Sequence, residues 1–308
     1  MGWNDRNERI AVFEDTMNMC NQNKFLRDSI RCSIAEQRLI FEDDDITEVF
    51  CERSQYLNGC PLNFKDSLPV YNSDSNIIVS KKRSLEAARA YARKQKVCVL
   101  NFASATNPGG GVKKGSSAQE ECLCRCSTLY PCISDGGVRN EFHNRHRSML
   151  SAGKFNALYN DDCIYTPDVT VFKSDTATPR TTPEKEWYKV DVITCAAPNL
   201  RLKPSNYVNP DSGSEAVRIR NSDLKALHAK RTNRILDIAK ANGVETMILG
   251  AFGCGAFQNP PEIVAAGICE AMKQHRRDFR TIEFAVFCPP GKTNNYDVFR
   301  KVFDENVM

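Results

Sequence analysis

The chain has 308 residues and a formal net charge of +4, from 42 Lys and Arg against 38 Asp and Glu. That length can bury one substantial core, and so mild a basic excess tolerates an anionic substrate without implying a nucleic-acid partner. Charged residues from Asp5 to Asp15 exclude a signal-peptide core, and no uncharged apolar run of about 20 residues suggests a membrane span, so an intracellular, cytoplasmic protein is expected, with nuclear access if the source is eukaryotic.

From the N-terminus, Ile10, Val12, Phe13, Met17, Phe25, Leu26, Ile30 and Ile34 form an approximate helical stripe across residues 5–45, which end in the cluster Asp43-Asp44-Asp45. Residues 46–80 read as short β-like segments, the last being Asn76-Ile77-Ile78-Val79. Ser84 can cap a helix reaching Arg93, with Glu86 in the favoured first turn, and the apolar strand 97–103 follows. Segments near 163–172 and 190–197 have β-branched character and are bounded by Pro167 and Pro198. The stretches 173–189 and 201–214 have the composition of exposed loops. Asp223 can start a long helix bearing Leu224, Leu227, Ile235 and Ile238, stopped by Asn242-Gly243. Strands alternating with helices predict a three-layer α/β/α core around a mixed, mostly parallel sheet, with ligands at the carboxyl ends of its strands.

Two glycine-rich loops lie at such ends. The first, NPGGGVKKGSSAQEE over residues 107–121, follows the strand that contains Val97-Cys98-Val99-Leu100. Gly109, Gly110 and Gly111 let main-chain N–H groups approach an anion closely and adopt positive φ; an ordinary flexible turn is the alternative. It is no Walker loop, because Lys113 and Lys114 precede Gly115 instead of following the last glycine, and it lacks the third glycine of a dinucleotide fingerprint. The second loop, LGAFGCGAFQNPP, leads from an apolar strand through Gly250, Gly253 and Gly255 to Asn259, which can cap a helix opened by Pro260 and Pro261. Helix starts of that kind attract anions.

The first loop ends in Glu120 and Glu121, which on a helix point about 100° apart and so cannot have equivalent roles. One can face a scissile bond while the other holds a sugar; first-turn residues complementing a helix dipole are the alternative. Cys122, Cys124 and Cys126 follow at two-residue spacing, from which three thiols cannot converge on a metal along a regular helix. They read as buried, reduced packing residues, as small thiols commonly are. Glu141, His143 and His146 are equally weak as ligands, so neither metal nor cofactor is expected.

With both loops in view, the chain resembles the microbial-type poly(ADP-ribose) glycohydrolases of the macrodomain superfamily, whose hallmark is three glycines, a short spacer and Gln-Glu-Glu. Seven residues separate Gly111 from Gln119 here. VLNFASATNPGGG, AQEECLCRCSTLY, IYTPDVTVF, VITCAAPN, LGAFGCGAFQNPP and a terminal FAVF strand extend the likeness over about residues 80–303. The resemblance implies a macrodomain-like catalytic domain over 81–308 behind a mainly helical N-terminal extension over 1–80. It implies a glycosidase acting on poly(ADP-ribose), or on ADP-ribosylated macromolecules, with ADP-ribose as product and cleavage favoured at chain ends. Glu121 is the expected acid and base, with Glu120 and Asn107 on the ribose, a turn-forming residue before Pro108 being the equal alternative for Asn107. Gln119 and Gly109 to Gly111 belong to the same site. Gly253, Cys254, Gly255, Ala256 and Phe257 are expected around the diphosphate, with Phe257 over the distal ribose, and Phe287 is a candidate for stacking on adenine, a core phenylalanine being the alternative. Gln258, where the family often has a small residue, and the basic pair Lys113-Lys114 depart from the pattern. A hydrolase of mono-ADP-ribosyl groups and a non-catalytic ADP-ribose-binding macrodomain remain the alternatives; the latter has no use for a positioned acid.

Overall fold

The computed structural model describes residues 3–46, 48–50, 70–289, 291 and 294–306. At its centre is a seven-stranded sheet made of β1 (Arg38–Ile40), β2 (Asn76–Ser80), β3 (Val97–Ala103), β4 (Cys163–Val171), β5 (Tyr188–Ala196), β6 (Thr246–Leu249) and β7 (Thr281–Ala285). The spatial order is β1-β4-β5-β3-β6-β7-β2. Five strands, from β5 through β2, pair in parallel, whereas β4 runs antiparallel to both β5 and β1. The mixed, mostly parallel α/β architecture expected from the alternation is therefore the one found. Both edge strands, β1 and β2, come from residues before 81.

Strand alternation distributes the core over both faces of the sheet. In β3, Cys98 and Leu100 join the cluster that includes Ile235, Val264, Ile268, Phe299 and Phe303, while Val97 and Val99 join Phe13, Leu85, Leu123 and Leu129 on the other face. The first face is covered by α7 (Asn221–Ala241), α8 (Pro261–Met272) and α9 (Asn295–Asn306). The second is covered by α1 (Trp3–Gln22), α3 (Ser84–Arg89), α4 (Gln119–Cys126) and α5 (Leu129–Ile133). Two more helices complete the described set used here, α2 (Lys24–Glu36) and α6 (Arg145–Ser151). None of the described helices is long and apolar enough to cross a membrane.

Several local expectations are corrected. The N-terminal helical stretch is two helices, and Asn23 caps the second by accepting from the Leu26 N–H at 3.1 Å. Residues 46 and 48–50 are helical, not β-like, while 51–69 lie outside the described residues. The helix begun at Ser84 stops at Arg89 and continues only as turns. Pro167 does not end its strand. A bulge between Thr166 and Val169 admits one extra residue, with Asp168 at φ +56° and its N–H bonded to Asp191. Because pleating has period two, that residue switches faces: Cys163 and Tyr165 point into one cluster, Val169 and Val171 into the other.

α8 leads directly out of the second glycine loop, and Gly267 brings it against α7. A Cβ at Gly267 would stand 2.7 Å from the Lys225 carbonyl oxygen and 2.9 Å from the His228 Cβ. The close neighbours include backbone, which cannot swing aside as a side-chain end can. Gly267→Ala is expected to lower stability by about 1–3 kcal/mol through overpacking, measured by urea unfolding; a stabilised variant would show that the helices separate without cost.

Candidate active site

Parallel pairing of β5, β3, β6 and β7 brings the loops after these strands to one edge of the sheet. Over that edge the first glycine loop folds back on α4, so that Glu120 and Glu121 sit beneath it, 3% and 5% exposed. Gly109 N–H donates to Glu120 Oε1 at 3.1 Å and Gly111 N–H to Glu121 Oε1 at 2.8 Å, while Gly110 N–H closes a turn onto the Asn107 carbonyl. Gly109 and Gly110 have φ of +71° and +55°. A Cβ on Gly110 would lie 2.7 Å from Glu121 Oε1 and 3.0 Å from Glu120 Oε2. The loop thus needs its glycines, but for a different partner than first expected: its N–H groups cradle two protein carboxyls instead of a phosphate.

The two acids differ in their surroundings. Glu120 also accepts from Ser104 N–H at 2.8 Å and from Asn101 Nδ2 at 3.4 Å. Burial raises its pKa well above the ordinary carboxyl range, the neighbouring Glu121 charge adds to this, and the three donors oppose it. Burial also raises Glu121, against the Gly111 N–H and the positive charge of Arg125. Its second oxygen, Oε2, is buried with no hydrogen-bond partner among the described residues. Two carboxyls around one point in a low-dielectric corner disfavour a double negative charge, so the pair holds its first proton to higher pH than an ordinary carboxyl does.

The rest of the loop is propped from below. Gln119 gives its amide to the scaffold, accepting from Phe102 N–H at 2.9 Å and donating to the Leu100 carbonyl at 2.8 Å and to Ser84 Oγ at 3.1 Å, which fastens α4 to β3. Asn107 Oδ1 accepts from Arg147 at 2.7 Å and its Nδ2 donates to Asn209 Oδ1 at 3.1 Å, joining the site to the long loop after β5. His143 and His146 both direct Nδ1 at the Ala105 carbonyl, at 3.2 and 3.3 Å, and His146 Nε2 meets Asn160 and Asp162. Burial lowers the His143 pKa to about 3. Among the described residues no cluster of His, Cys, Asp or Glu could hold a metal ion. Cys124 and Cys126 are buried, Cys122 is half-buried, and all three are free thiols.

In the second loop, Gly253 at φ +80° packs so tightly that a Cβ would fall 2.7 Å from Asn259 Nδ2 and 2.8 Å from the Ala197 Cβ. Asn259 is not the helix cap expected of it; Pro260 holds that position. Its amide instead bonds the carbonyls of Pro198 at 2.7 Å and Gly253 at 3.1 Å, and its Oδ1 faces His228 Nε2 at 3.0 Å. Cys254 is buried, while Gly255 and Ala256 are exposed. Among the described residues, the N–H groups of Gly255, Ala256 and Phe257 donate to no protein acceptor. Phe257 packs with Ala105, Tyr159 and Ala196, next to the first loop. Phe287 stands apart from both glutamates in its contacts: its half-exposed ring carries the Arg83 guanidinium 4.0 Å from its centroid.

Arg125, Asn101 and Arg147 escaped the reading of the sequence. Arg125 stands four residues after Glu121, on the same helix face, and Asn101 is a polar interruption of an apolar strand; both signals were legible. Arg147 has no such signal. A recess of about 320 Å³ lined by Arg83, Lys173, Asp175 and Tyr188 includes neither glutamate, and Lys173 there is paired with Asp15.

The raised pair has a measurable consequence. The folded chain holds protons that an unfolded chain releases near the ordinary carboxyl value, so this contribution to stability falls as pH rises from that value through the raised ones. Glu121→Gln removes one of these groups. From about pH 5 to 8, urea unfolding should show wild type losing more stability than the variant; parallel curves would contradict the burial argument.

The sequence matches the family model described as "Microbial-type PARG, catalytic domain" over residues 13–174. Among solved structures, the chain is similar to the poly(ADP-ribose) glycohydrolase of Thermomonospora curvata bound to the inhibitor ADP-HPD, at 25% identity and a TM-score of 0.72, covering 96% of this chain and 99% of that one. It is also similar to the poly(ADP-ribose) glycohydrolase of Deinococcus radiodurans in complex with ADP-ribose, at 26% identity and a TM-score of 0.68, covering 91% and 98%. No curated protein matches the chain.

Proposed function

The chain belongs to the microbial-type poly(ADP-ribose) glycohydrolase catalytic-domain family, a family of glycosidases, and from that membership we propose that it hydrolyses the ribose–ribose O-glycosidic bond of poly(ADP-ribose) from chain ends, releasing ADP-ribose. The observation that carries this reading is Glu121 itself, a buried carboxyl anchored through Oε1 by the Gly111 N–H, whose Oε2 has no hydrogen-bond partner among the described residues and so has no protein group competing for its proton. A module that only bound ADP-ribose would gain nothing from it.

In this reading Glu121 gives its proton to the leaving ribose oxygen as the bond from the anomeric carbon breaks. Positive charge then develops on the retained ribose as an oxocarbenium-like species, facing the two carboxyls. Water adds to the anomeric carbon and returns a proton to Glu121, which completes the cycle without a second acid. Glu120 has lone pairs left for a ribose hydroxyl, and Asn107 can reach the same sugar. The unpaired N–H groups of Gly255, Ala256 and Phe257 suit the diphosphate, Gly253 shapes the turn that presents them and Cys254 buries its root. Phe257 borders the distal ribose and Phe287 offers a ring to adenine. Gln119 supports the site through the scaffold. The Deinococcus radiodurans relative is in complex with ADP-ribose, which supports ADP-ribose as the ligand of the two glycine loops.

Glu121→Gln should lower kcat on polymer by about 10²–10⁴-fold, the usual worth of a positioned acid and base, while ADP-ribose still binds in a calorimeter. Release of ADP-ribose at close to the wild-type rate would sink the assignment. Products from wild type should be monomeric at early times; early oligomers would replace chain-end cleavage by internal cleavage.

Because the acid must start protonated, kcat should fall as pH rises through the raised Glu121 value. The alkaline limb should move when Arg125 is changed to Met, towards higher pH, since the charge that favours ionised Glu121 is lost. An unmoved limb would assign it to another group.

A further inference from the structure

Lys113 and Lys114, the basic departure within the glycine-loop spacer, have no part in the mechanism above, and neither has the loop that Lys114 touches; the exposed Lys113, on the same spacer, carries its ammonium 5.5 Å from the centroid of the Tyr130 ring. Lys114 Nζ donates to the Tyr207 carbonyl at 2.6 Å and lies 4.2 Å from the centroid of the Tyr207 ring. Tyr207 is 80% exposed, although the backbone that follows it is held, the Val208 and Asn209 N–H groups donating to Asn206 Oδ1 at 2.7 and 2.9 Å. Val208 Cγ1 is 2.1 Å from where a Cβ on Gly111 would stand, and Asn209 accepts from Asn107. Residues 207–209 therefore border the glycine loop from its last glycine back to Asn107, and the Tyr207 ring and the Lys114 ammonium stand together on its rim.

Strand order gives this rim a direction. The ADP-ribose that is released would extend from the acids after β3 towards the loop of β6 and Phe287 after β7, and β6 and β7 lie on one side of β3. On the other side lies β5, whose following loop carries Tyr207. In the polymer the leaving oxygen belongs to the ribose of an adenosine, so an adenine and then a diphosphate follow it on the departing side. We propose that Tyr207, Lys113 and Lys114 form a subsite for this leaving unit, with its adenine stacked on the Tyr207 ring and its diphosphate against the lysines. Bases of any sequence stack on an aromatic face, and the ammonium groups supply positive charge that attracts a diphosphate without having to be buried. A mono-ADP-ribosyl group on a protein has no adenosine on its leaving side, so the subsite favours polymer.

The proposal rests on the polymer reading, and its test separates the two. In Glu121→Gln protein, the dissociation constants of ADP-ribose and of a two-unit poly(ADP-ribose) would be compared by calorimetry. The dimer should bind about ten-fold more tightly, a factor within the range of one base stack. Tyr207→Ala should remove most of that ratio and Tyr207→Trp should keep it, while Lys113→Ala should flatten the salt dependence of dimer binding. Equal affinities for the two ligands in the parent, or a ratio unaltered by Tyr207→Ala, would overturn the subsite alone. Loss of the same factor for both ligands would make Tyr207 a support of the loop and overturn it too. Failure of the parent to bind either ligand would overturn the polymer reading and the subsite with it.

Discussion

Two carboxyl groups buried side by side govern the design of this site. Removing both from water disfavours charge on either, and each is tolerated because backbone N–H groups of a glycine loop reach it, Gly109 for Glu120 and Gly111 for Glu121. Contacts this close leave no room for side chains on the loop. The loop in turn must be held against the end of β3, which explains why polar residues gather there: Ser104 and Asn101 on Glu120, and two imidazoles on the Ala105 carbonyl. Gln119 secures the helix that supplies the acids.

The neighbouring loop solves a different problem with the same residue type. Its glycine at 253 makes room for an Asn259 amide that knits the ends of β5 and β6 together, while N–H groups farther along find no acceptor among the described residues. One glycine loop directs its hydrogen-bond donors inward and the other leaves donors facing out. Adjacent parallel strands place these opposite uses next to one another, which is why chemistry on the sugar and anchorage of an anion can be adjusted separately.

Much of this was legible because it is local. The alternating apolar residues of β3, the helix ended by Asn242-Gly243, and the adjacency of glycines and glutamates each depend on a short window of sequence. The direction of the glycine N–H groups was not legible, since it depends on how α4 packs beneath the loop after a turn that spelling does not specify. Nor was the role of Asn259: a short polar residue before two prolines satisfies the helix-start pattern, and only the approach of Pro198 and His228 from elsewhere makes it a staple. The strand near 163–172 was legible, but its passage through Pro167 was not, because a bulge absorbs the missing N–H and reverses the pleat. Arg147 and the 207–209 segment lie far in sequence from Asn107, and they reach it through tertiary contacts that no periodicity reports.

The margins of the sheet have a bearing on how the molecule assembles. Residues 38–40 find their partners at 163–165, and residues 76–80 find theirs at 281–285, so each border is sealed by a pairing that spans more than a hundred positions. Closing such long loops carries an entropic cost. The central β3–β6 pairing, which also spans more than a hundred positions, bears one too, but it is offset by a neighbouring strand on either side, which the border strands lack. The sheet is then expected to grow outward from its middle, and an early compact state would have bare flanks able to pair with another chain. The last ordering event would be the lacing of the first part of the chain along both rims.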